Sequence, residues 1–439
     1  MNGLAAVIMA AGLGKRMRSA TPKHLHPLIG RRMVDWVIEA ARPLGAAPLV
    51  VVASPDTREL FEGVEVAVQE RPLGTGDAVA SARELLEGRS REVLVLSGDT
   101  PLLTADLLGE LLATHRGAAA AATVLTATPA DLRSYGRILR NERGELRAIV
   151  EAADATGEQL GIREVNTSIY VFDSERLWFA LERLTPANAQ GELYLTDALR
   201  HLVDDGEHVA VHRAQDPDEA EGVNTRVELA AAGAVLRRRI NERHMLAGVT
   251  IVDPDSTLIE PTVEIEPDTT IGPFTTLAGR TRVETGAHLV SHVVAVDAVV
   301  GPRVSVGPFC YLRPGTVLAA GAKAGTFVEI KNAHIGEGAK VPHLSYIGDA
   351  EIGAGSNIGA GGITANLPHQ PGRPKGRTTI GRNVRTAIHN SFMAPVSIGD
   401  GSWIAAGTVV TDDVPPDSLA GFPPRQVTKE GYLREQHDD

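Results

Sequence analysis

A six-residue period of aliphatic side chains between Ile259 and Val410 restricts the fold of this chain more than any other feature. A helix cannot bury such a pattern, because six residues do not return to the same side of a 3.6-residue turn. Short strands joined by tight turns can bury it, since each coil then places one aliphatic residue on each side. Allowing one-residue phase shifts and one longer break, the positions in phase are Ile259, Ile265, Ile271, Leu277, Val283, Leu289, Val294, Val300, Val306, Leu312, Leu318, Ala324, Ile330, Ile335, Val341, Ile347, Ile352, Ile358, Thr364, Ile380, Thr386, Phe392, Ile398, Ile404 and Val410.

Glycine follows the repeated residue at many of these positions, for example after Ile271, Val300 and Ile398. Turns between short strands need dihedral angles that glycine adopts at low cost. The pattern therefore predicts a parallel β-helix, a solenoid of coils stacked around a ladder of aliphatic side chains. An ordinary all-β domain with chance spacing is the alternative, and the number of in-phase positions argues against it.

Composition supports this interpretation and excludes several classes of protein. The aromatic share is 4% and there are 45 glycines, which suits the narrow interior of a β-helix. The 439 residues exceed the size of one ordinary core, so two or three domains are expected. A net charge of -12 argues against general affinity for nucleic acid or an anionic membrane, so any anion-binding site must be local.

Cysteine content and the first residues bear on the compartment. Cys310 is the only cysteine, so the chain has no internal disulfide and a reducing compartment is allowed; Cys310 is expected to fill a small space in the ladder. The apolar start at Leu4 to Ala11 has no basic leader and predicts a first strand instead of a signal peptide. No apolar run approaches membrane-spanning length. A cytoplasmic location is therefore predicted.

The first half of the chain alternates apolar strand-like runs with helical segments. Strands are predicted at Leu4–Met9, Leu49–Ala53 and Val93–Leu96, and helices at Met33–Ala41 and Ala78–Leu86. Such alternation predicts a mostly parallel sheet with ligands at the carboxyl ends of its strands. The predicted domains are an α/β domain at 1–225, a helical linker at 226–246, and a β-helix with an irregular tail at 247–439.

A glycine-rich loop follows the first predicted strand, in the stretch AAGLGKRM at residues 10–17. It lacks the third glycine of a dinucleotide-binding fingerprint, because Met17 stands there, and it lacks the spacing of a P-loop. Its backbone N–H groups can still face an anion, and Lys15 and Arg16 add positive charge. By itself the loop does not distinguish an anion site from a plain tight turn.

Further motifs in the first half give this loop a context. In chain order they are MAAGLGKRM, Pro22-Lys23 with Leu25 and His26, QERPLGTGDA, LSGDTPL, SYGRI, IVEAADAT, VNTSIYVF, AQGELYLTD and EGVNTR. The first four resemble sugar-nucleotide pyrophosphorylases. The whole set, with the hexapeptide repeats, resembles the bacterial bifunctional N-acetylglucosamine-1-phosphate uridyltransferase/glucosamine-1-phosphate acetyltransferase family over nearly the whole chain. The resemblance implies a Rossmann-like α/β nucleotidyltransferase domain, a left-handed β-helix, a homotrimer and a role in supplying cell-wall and lipopolysaccharide precursors.

For the α/β domain the resemblance implies transfer of UMP from UTP to N-acetylglucosamine 1-phosphate. The site must hold dense negative charge, which suits the cationic Lys15, Arg16 and Lys23. Asp99 and Asn224 match the family's magnesium ligands, and Mg²⁺ needs only one or two protein oxygens beside phosphates and waters. Without this context Asp99 would be interpreted as a turn residue before a proline.

The resemblance also assigns contacts around the base and the sugar. Gln69, Gly74 and Thr75 match positions that read uracil, whereas Glu151 and Asn166 lie among those around the sugar, where solvated loop positions are the alternative. Ser97 stands where many members carry tyrosine. The residues expected to bind UTP or the UDP-sugar are Met9, Ala10, Ala11, Gly12, Lys15, Arg16, Lys23, Gln69, Gly74, Thr75, Ser97, Gly98, Asp99, Gly136, Glu151, Asn166 and Asn224.

A second site is expected on the β-helix, near the phase shifts. Acetyl transfer from a thioester to an amine needs a base, which neutral histidine supplies at cytoplasmic pH, and cations for the sugar phosphate. Among 14 histidines a lone one would more often be a surface residue, but the motif FVEIK followed by HLSYIGDAE implies that His343 is the base. The family roles carried over are Arg313 and Lys331 for phosphate, Tyr346 and Asn357 for the amino sugar, and Ala360, Asn366, Leu367, Ile388, Ala406 and Arg425 for acetyl-CoA.

The chain departs from the family around the coenzyme. Leu367-Pro-His-Gln follows Asn366 where Tyr-Asp-Gly is usual, Ile388 stands where serine is common, and Pro423 takes the place of the tail's usual arginine, with Arg425 displaced. A loop from 365 to 379, containing Lys375 and Arg377, is predicted to leave the solenoid. The hypothesis is that acetyl-CoA binds through a rearranged loop.

Two other functions stay open at this point. The β-helix could be a non-catalytic trimerising scaffold attached to a pyrophosphorylase. Alternatively, the first domain could be an ADP-glucose-type or GDP-mannose-type enzyme with a regulatory β-helix. The expected partners under the leading hypothesis are UTP, N-acetylglucosamine 1-phosphate, glucosamine 1-phosphate, acetyl-CoA and two further copies of the chain, with no nucleic acid and no membrane.

Overall fold

The computed structural model describes residues 2–12, 14–132, 135–367, 374–421, 428 and 430, without the side chains of Asn2 and Lys15. The chain forms two compact units, Met1–Leu236 and Arg237–Asp439. The boundary between them falls inside a helix at Arg226–Leu246, the range for which the sequence predicts a helical linker. The division into domains at 225 and 246 stays a prediction.

Eight α-helices are formed by the described residues. They are α1 (Met33–Ala41), α2 (Thr75–Ala80), α3 (Arg83–Leu86), α4 (Ala105–Gly117), α5 (Gly157–Leu160), α6 (Ser174–Leu181), α7 (Leu195–Asp204) and α8 (Arg226–Leu246), with 3-10 turns at Lys15–Met17, Lys23–Leu25, Arg42–Leu44, Arg58–Leu60 and Pro217–Ala220. The single helix predicted at Ala78–Leu86 is wrong. Two short helices replace it, and at the break Ser81 Oγ donates to Asp77 O (2.9 Å), a bond that competes with the helical pattern.

The first unit contains one large sheet. Its nine strands are β1 (Asn2–Met9), β4 (Leu49–Ala53), β5 (Glu65–Val68), β6 (Ser90–Ser97), β7 (Ala122–Ala127), β8 (Arg137–Arg140), β9 (Leu146–Val150), β10 (Val165–Asp173) and β11 (Val209–Arg213). A separate small hairpin consists of β2 (Pro27–Leu28) and β3 (Arg31–Arg32). The spatial order is β11-β7-β10-β6-β1-β4-β5, with β8 and β9 attached beside β10. All neighbouring pairs along this order are parallel except those of β10, so the predicted mostly parallel sheet is confirmed.

The central strands are buried on both faces. In β1, Ala5 and Val7 face a core that includes Leu199 of α7, whereas Ala6 and Ile8 face another that includes Leu108 of α4. A strand covered on both sides needs apolar residues at every position, which is why β1 reads as an unbroken apolar run. The carboxyl ends of β1 and β6 lie side by side, with Met9 paired to Ser97.

The second unit is a parallel β-helix with three faces, as the six-residue period predicts. Face A consists of β12 (Thr250–Ile251), β15 (Thr270–Ile271), β18 (His288–Leu289), β21 (Ser305–Val306), the starts of β24 (Lys323–Lys331) and β26 (Lys340–Gly348), β30 (Arg385–Thr386), β33 (Trp403–Ile404) and β35 (Leu419–Ala420). Face B consists of β13 (Leu258–Ile259), β16 (Thr276–Ala278), β19 (Val293–Val296), β22 (Cys310–Leu312), the ends of β24 and β26, β28 (Ile363–Ala365), β31 (Ser391–Met393) and β34 (Val409–Val410). Face C consists of β14 (Glu264–Ile265), β17 (Arg282–Val283), β20 (Val299–Val300), β23 (Val317–Leu318), β25 (His334–Ile335), β27 (Ala350–Ile352), β29 (Thr378–Ile380) and β32 (Val396–Ile398).

The first phase shift lies one residue later than the sequence suggests. Ala295 is fully buried and pairs with Leu277 and Leu312 on face B, whereas Val294 is 39% exposed. The assignment of Val294 to the ladder is therefore wrong, because neighbouring strand residues point to opposite sides and only Ala295 points inward. Cys310 is buried on the same face, as predicted.

The shortened steps fall at one corner of the β-helix, the turn from face B to face C, which we call corner 2. They run from Ala295 to Val300, from Ile330 to Ile335 and from Ile347 to Ile352. The predicted inserted loop leaves the coil at this corner too, since Ile352 pairs directly with Ile380. The turn from face A to face B, corner 1, keeps a constant length and carries outward-facing rings, with His292 between Phe274 and Phe309 at 4.7 and 4.6 Å.

Candidate active sites

A cavity of about 250 Å³ opens where the carboxyl ends of β1 and β6 meet. Met9 ends β1, Ser97 ends β6, and Gly98 N donates to Met9 O at 2.9 Å. A Cβ at Gly98 would lie 2.8 Å from that carbonyl oxygen, so a larger residue there would force the two strand ends apart. The sequence-predicted residues that line the cavity are Met9, Ala10, Ala11, Gly12, Lys23, Gln69, Gly74, Thr75, Ser97, Gly98 and Asp99.

Asp99 and Asn224 converge on one cationic group at this cavity. The Lys23 ammonium donates to Asp99 Oδ2 and to Asn224 Oδ1 (2.9 Å), and Arg16 Nη2 donates to the same Asn224 oxygen (2.8 Å). The loop carrying Asn224 is held beside Asp99 by a backbone bond from Val223 N to Asp99 O (2.8 Å). Residues far apart in the chain therefore form one polar network.

Two opposing effects act on the pKa of Asp99. Burial favours the protonated form, but the Lys23 ammonium attracts and hydrogen-bonds the carboxylate, and Ser97 Oγ donates to its other oxygen (2.7 Å). The net result lowers the pKa of Asp99 below its usual value. The carboxylate is therefore ionised at neutral pH, which is the form that binds cations.

The oxygens of Asp99 and Asn224 fit a magnesium ion. Both already contact a single cation, the Lys23 ammonium, so they reach one point in space. A carboxylate and an amide oxygen are hard ligands of the type that Mg²⁺ prefers, and substrate phosphates and water commonly complete its coordination. Within the described residues no cluster of three or more His, Cys, Asp or Glu could hold a metal ion.

The residues assigned to the sugar form a second cluster, outside the set that lines this cavity. Asn166 N donates to Gly136 O (2.9 Å), a Cβ at Gly136 would lie 3.3 Å from Glu151 Oε2, and Thr196 Oγ1 donates to Glu151 Oε1 (3.1 Å). Burial raises the pKa of Glu151, and the nearby Asp154 adds to that effect. Gly136, Glu151 and Asn166 are thus brought together, with Thr196 as a partner that the sequence did not single out.

Four residues lining the cavity were missed by the sequence analysis: His24, Pro72, Ala78 and Glu192. His24 is 3% exposed, and in the described part of the chain its Nε2 has no hydrogen-bond partner. Burial lowers the pKa of His24 to about 4, with Asp99 opposing and Lys23 adding to the effect. His24 lies between Lys23 and Leu25, which belong to one of the motifs, but nothing in its local pattern marked it. The side chain of Lys15, predicted to bind phosphate, lies outside the described part.

On the β-helix, the predicted base and several coenzyme residues form a column along corner 1. His343 pairs with Thr326 of the preceding coil. His389 N donates to Ala360 O (2.8 Å) and Gly407 N donates to Ile388 O (2.9 Å), so the turns carrying these residues stack coil on coil. Ala406 occupies the equivalent place on the coil of β33 and β34.

The predicted phosphate residues lie along corner 2. Arg313 Nη1 donates to Glu329 Oε1 (2.7 Å), and its guanidinium lies 5.9 Å from the centre of the Tyr311 ring, so its side chain leans over face B. Contact with Lys375 and repulsion from Arg313 lower the pKa of Lys331. Lys375, which the sequence analysis left without a role, thus joins a cluster of three cations suited to an anion.

His343 and the cation cluster lie at opposite edges of face B within one chain. Thr326 pairs with His343 and Lys331 with Gly348, so about five residues of chain, a span of at most roughly 16 Å, separate the Cα positions of Thr326 and Lys331 along β24. Between them lies an open groove of about 520 Å³ that includes Tyr346 and Glu329. Asn357 lies on face A, where its backbone bridges to Lys340 and Arg385.

The predicted acetyl-CoA residues are divided in the same way. Ala360, Ile388 and Ala406 belong to corner 1, whereas Asn366 lies at corner 2 and donates to Asp349 through its side-chain amide. Leu367, which follows Asn366, is 71% exposed. Arg425 and Pro423 lie outside the described residues.

Comparison with known proteins gives one match to the first part of the chain and several to nearly its whole length. The model of the MobA-like NTP transferase domain family matches residues 6–202. Proteins named "Bifunctional protein GlmU" match nearly the whole chain. The one from Mycolicibacterium paratuberculosis is 47% identical over 464 residues, covering 98% of this chain and 93% of that protein. Those from Mycobacterium bovis (strain BCG / Pasteur 1173P2) and Mycobacterium avium are 47% and 46% identical, covering 95% and 98% of this chain and 89% and 93% of their own lengths. In the parts of the chain that the structure covers, no helix combines the length and apolarity needed to cross a membrane.

Proposed function

The chain belongs to the GlmU family of bifunctional proteins, and from this premise we propose that it makes UDP-N-acetylglucosamine in two steps. Acetyl-CoA and glucosamine 1-phosphate give N-acetylglucosamine 1-phosphate and free CoA on the β-helix. UTP and that product give UDP-N-acetylglucosamine and pyrophosphate in the α/β unit. The observation that carries the second step is that Lys23, which lines the cavity beside two parallel strand ends, donates to both Asp99 and Asn224.

In uridylyl transfer, a phosphate oxygen of the sugar attacks the α-phosphorus of UTP and pyrophosphate leaves. Arg16 and Lys23 hold the triphosphate by charge-assisted hydrogen bonds, which position the reacting atoms. Asp99 and Asn224 would hold Mg²⁺, which supplies positive charge to the phosphate oxygens. Glu151 and Asn166 orient the sugar through hydrogen bonds to its hydroxyl and acetamido groups.

In acetyl transfer, the amine of glucosamine 1-phosphate attacks the thioester carbonyl and CoA leaves as its thiol. His343 accepts the proton that the amine loses. The cations at corner 2, Arg313, Lys331 and Lys375, bind the phosphate. The separation of these groups from His343 supports a site that neighbouring chains complete, with corner 1 of one chain facing corner 2 of another.

We propose a homotrimer as the assembly that creates these shared sites. Light scattering coupled to size exclusion gives the number of chains directly, and a monomer that retains acetyl transfer would refute sharing. A second measurement uses two inactive variants. His343→Ala chains co-expressed with Asn366→Ala chains are expected to regain part of the activity, because some sites then combine two intact corners.

One experiment tests both steps together. The protein is incubated with glucosamine 1-phosphate, acetyl-CoA, UTP and Mg²⁺, and the products are identified by mass, with each component omitted in turn. UDP-N-acetylglucosamine is expected only when all are present. Strong preference for ATP or GTP over UTP would favour an ADP-glucose-type or GDP-mannose-type enzyme instead.

The alternative of a non-catalytic β-helix has its own test. His343→Ala is expected to remove acetyl transfer by about a hundredfold or more, the size typical of a lost general base, and to leave uridylyl transfer unchanged. His288→Ala, a change at an exposed face-A position, serves as the control. Full acetyl transfer in the His343 variant would contradict its role as the base, and absence of acetyl transfer by the wild-type protein would make the β-helix a scaffold.

We place this synthesis in the cytoplasm, where UTP and acetyl-CoA are available, and assign its product to cell-wall precursor supply. Fractionation of cells producing the protein tests the location, and UDP-N-acetylglucosamine levels after its depletion test the role.

A further inference from the structure

Gln69 stands at the end of β5 with both amide hydrogens committed inside the protein. It is 6% exposed, lines the cavity, and its backbone N donates to Ala53 O (2.9 Å). Its side-chain Nε2 donates to Gly74 O (3.0 Å) and to Asp77 Oδ2 (2.8 Å). The group that Gln69 has left to offer a ligand is therefore its carbonyl oxygen.

The orientation of this amide follows from chemistry. A backbone carbonyl and an ionised carboxylate can only accept hydrogen bonds, so Nε2 must face both of them. Rotating the amide by half a turn would set Gln69 Oε1 against two oxygens at about the same distances and break two bonds.

The carboxylate is itself held in place. Asp77 lies in the first turn of α2, whose start is fixed where Gly76 N donates to Leu193 O (2.8 Å) and Leu195 N donates to Thr75 Oγ1 (3.0 Å). Across the described ranges no cation lies within salt-bridge distance of Asp77, and the side chain that donates a hydrogen bond to its carboxylate is Gln69.

We propose that Asp77 is a positioning residue for base selection in uridylyl transfer. It holds Gln69 so that the carbonyl oxygen of the side chain faces the base. This orientation selects uracil, whose N3 carries a hydrogen, over cytosine, whose N3 is an acceptor. This inference rests on the proposed uridylyl transfer.

The physical basis is the cost of facing two acceptors in a buried site. Uracil N3–H donates to Gln69 Oε1, whereas cytosine N3 would face that oxygen with a lone pair and leave both unpaired. Sites that leave a buried polar group unpaired discriminate strongly between otherwise similar substrates. Asp77 strengthens this choice. If Gln69 turned its NH2 group toward cytosine, its carbonyl oxygen would have to face the Asp77 carboxylate.

The test compares kcat/KM for UTP and CTP, with N-acetylglucosamine 1-phosphate as acceptor. Asp77→Ala is expected to lower the UTP-to-CTP ratio at least tenfold, because Gln69 becomes free to rotate. Asp77→Asn keeps an acceptor oxygen and should retain an intermediate ratio. Glu84→Ala removes an exposed carboxylate from the first turn of the neighbouring α3 and should leave the ratio unchanged.

A purely structural role for Asp77 predicts a different result. If Asp77→Ala lowers kcat/KM for both nucleotides by the same factor, or leaves their ratio unchanged, the inference is overturned. Thermal unfolding of each variant shows that the compared proteins are folded. A wild-type protein that forms no UDP-sugar from UTP would contradict the proposed function, which separates that failure from a wrong role for Asp77.

Discussion

At the scale of single residues, charge and burial shift the pKa values of two carboxylates of the α/β unit in opposite directions. Asp99 keeps a lowered pKa although it is buried, because Lys23 lies beside it, whereas Glu151 has a raised pKa because burial and neighbouring acids outweigh its bond to Thr196. The first carboxylate is thereby kept ionised for a cation. Glu151 is the more easily protonated of the two, in the cluster proposed to bind the sugar.

The role of Asp99 predicts a selective loss. Asp99→Ala removes an anionic oxygen from the cation site and should lower kcat/KM for uridylyl transfer by at least about a hundredfold. Acetyl transfer should be unaffected, since the β-helix carries those residues. Both rates are measured on the same preparation, with Asp106→Ala, an exposed acid in the first turn of α4, as control. Loss of both activities in a folded variant would contradict independent sites.

The raised pKa of Glu151 predicts a pH-dependent stability effect. In the unfolded chain this carboxyl ionises at its ordinary, lower pKa. The folded protein therefore loses stability as pH rises from the pKa of the unfolded chain to the higher pKa of the folded protein. Glu151→Gln should therefore raise the unfolding temperature at pH 7.5 relative to wild type, and the gain should vanish near pH 4. Calorimetry at both pH values checks this, with Glu142→Gln as an exposed control. A gain that persists at pH 4 would rule out charge as its cause.

At the scale of elements, the coil turns decide where side chains point. Corner 1 keeps a constant length and aligns His343 with residues predicted to bind acetyl-CoA. Corner 2 contains the shortened steps, the point where the inserted loop departs, and the cation cluster. Strand β24 runs through corner 1 and pairs closely with β26. Close backbone approach at this turn leaves little room for side chains.

Gly325 gives a direct test of that close packing. A Cβ at this position would lie 2.0 Å from Pro342 O, a backbone atom of the next coil that cannot yield without moving the strand. Gly325→Ala should destabilise the β-helix by about 2–3 kcal/mol, as overpacking does. Gly109→Ala, in α4 with no atom near its added Cβ, should be neutral or slightly stabilising. Equal unfolding temperatures for the two variants would refute the packing argument.

At the scale of the whole molecule, buried neutral histidines tie stability to pH. Burial lowers the pKa of His24, His26, His115 and His244, with His24 reaching about 4. The unfolded chain takes up these protons near pH 6.5, so the folded protein is penalised as pH falls below that value. For His24 alone the effect is on the order of 3 kcal/mol.

Acid titration of the unfolding temperature measures this effect. Wild-type protein should lose stability steeply between pH 6.5 and pH 4, and His24→Leu should flatten part of that slope because one buried proton acceptor is gone. His201→Leu, at a half-buried position in α7, serves as the control. An unchanged slope in the His24 variant would show that its imidazole titrates normally.

The sequence by itself determined the classes of structure. The six-residue period predicts the coils of the β-helix, and unbroken apolar runs predict the buried strands β1 and β4. These signals are local, since each depends on neighbours a few residues away. Motif resemblance named candidate residues, and the structure brings Lys23, Asp99 and Asn224 together as those motifs imply.

Only the tertiary structure decided which candidates share a surface. Whether Val294 or Ala295 points inward depends on pairing with coils 17 or 18 residues away, and the placement of His343 and Lys331 at different corners follows from that stacking. The lock of Gln69 by Asp77 is equally invisible in the sequence, because it depends on how a strand end and a helix turn face each other. Pairing between distant segments is set by the packing of the whole chain, which no local pattern records.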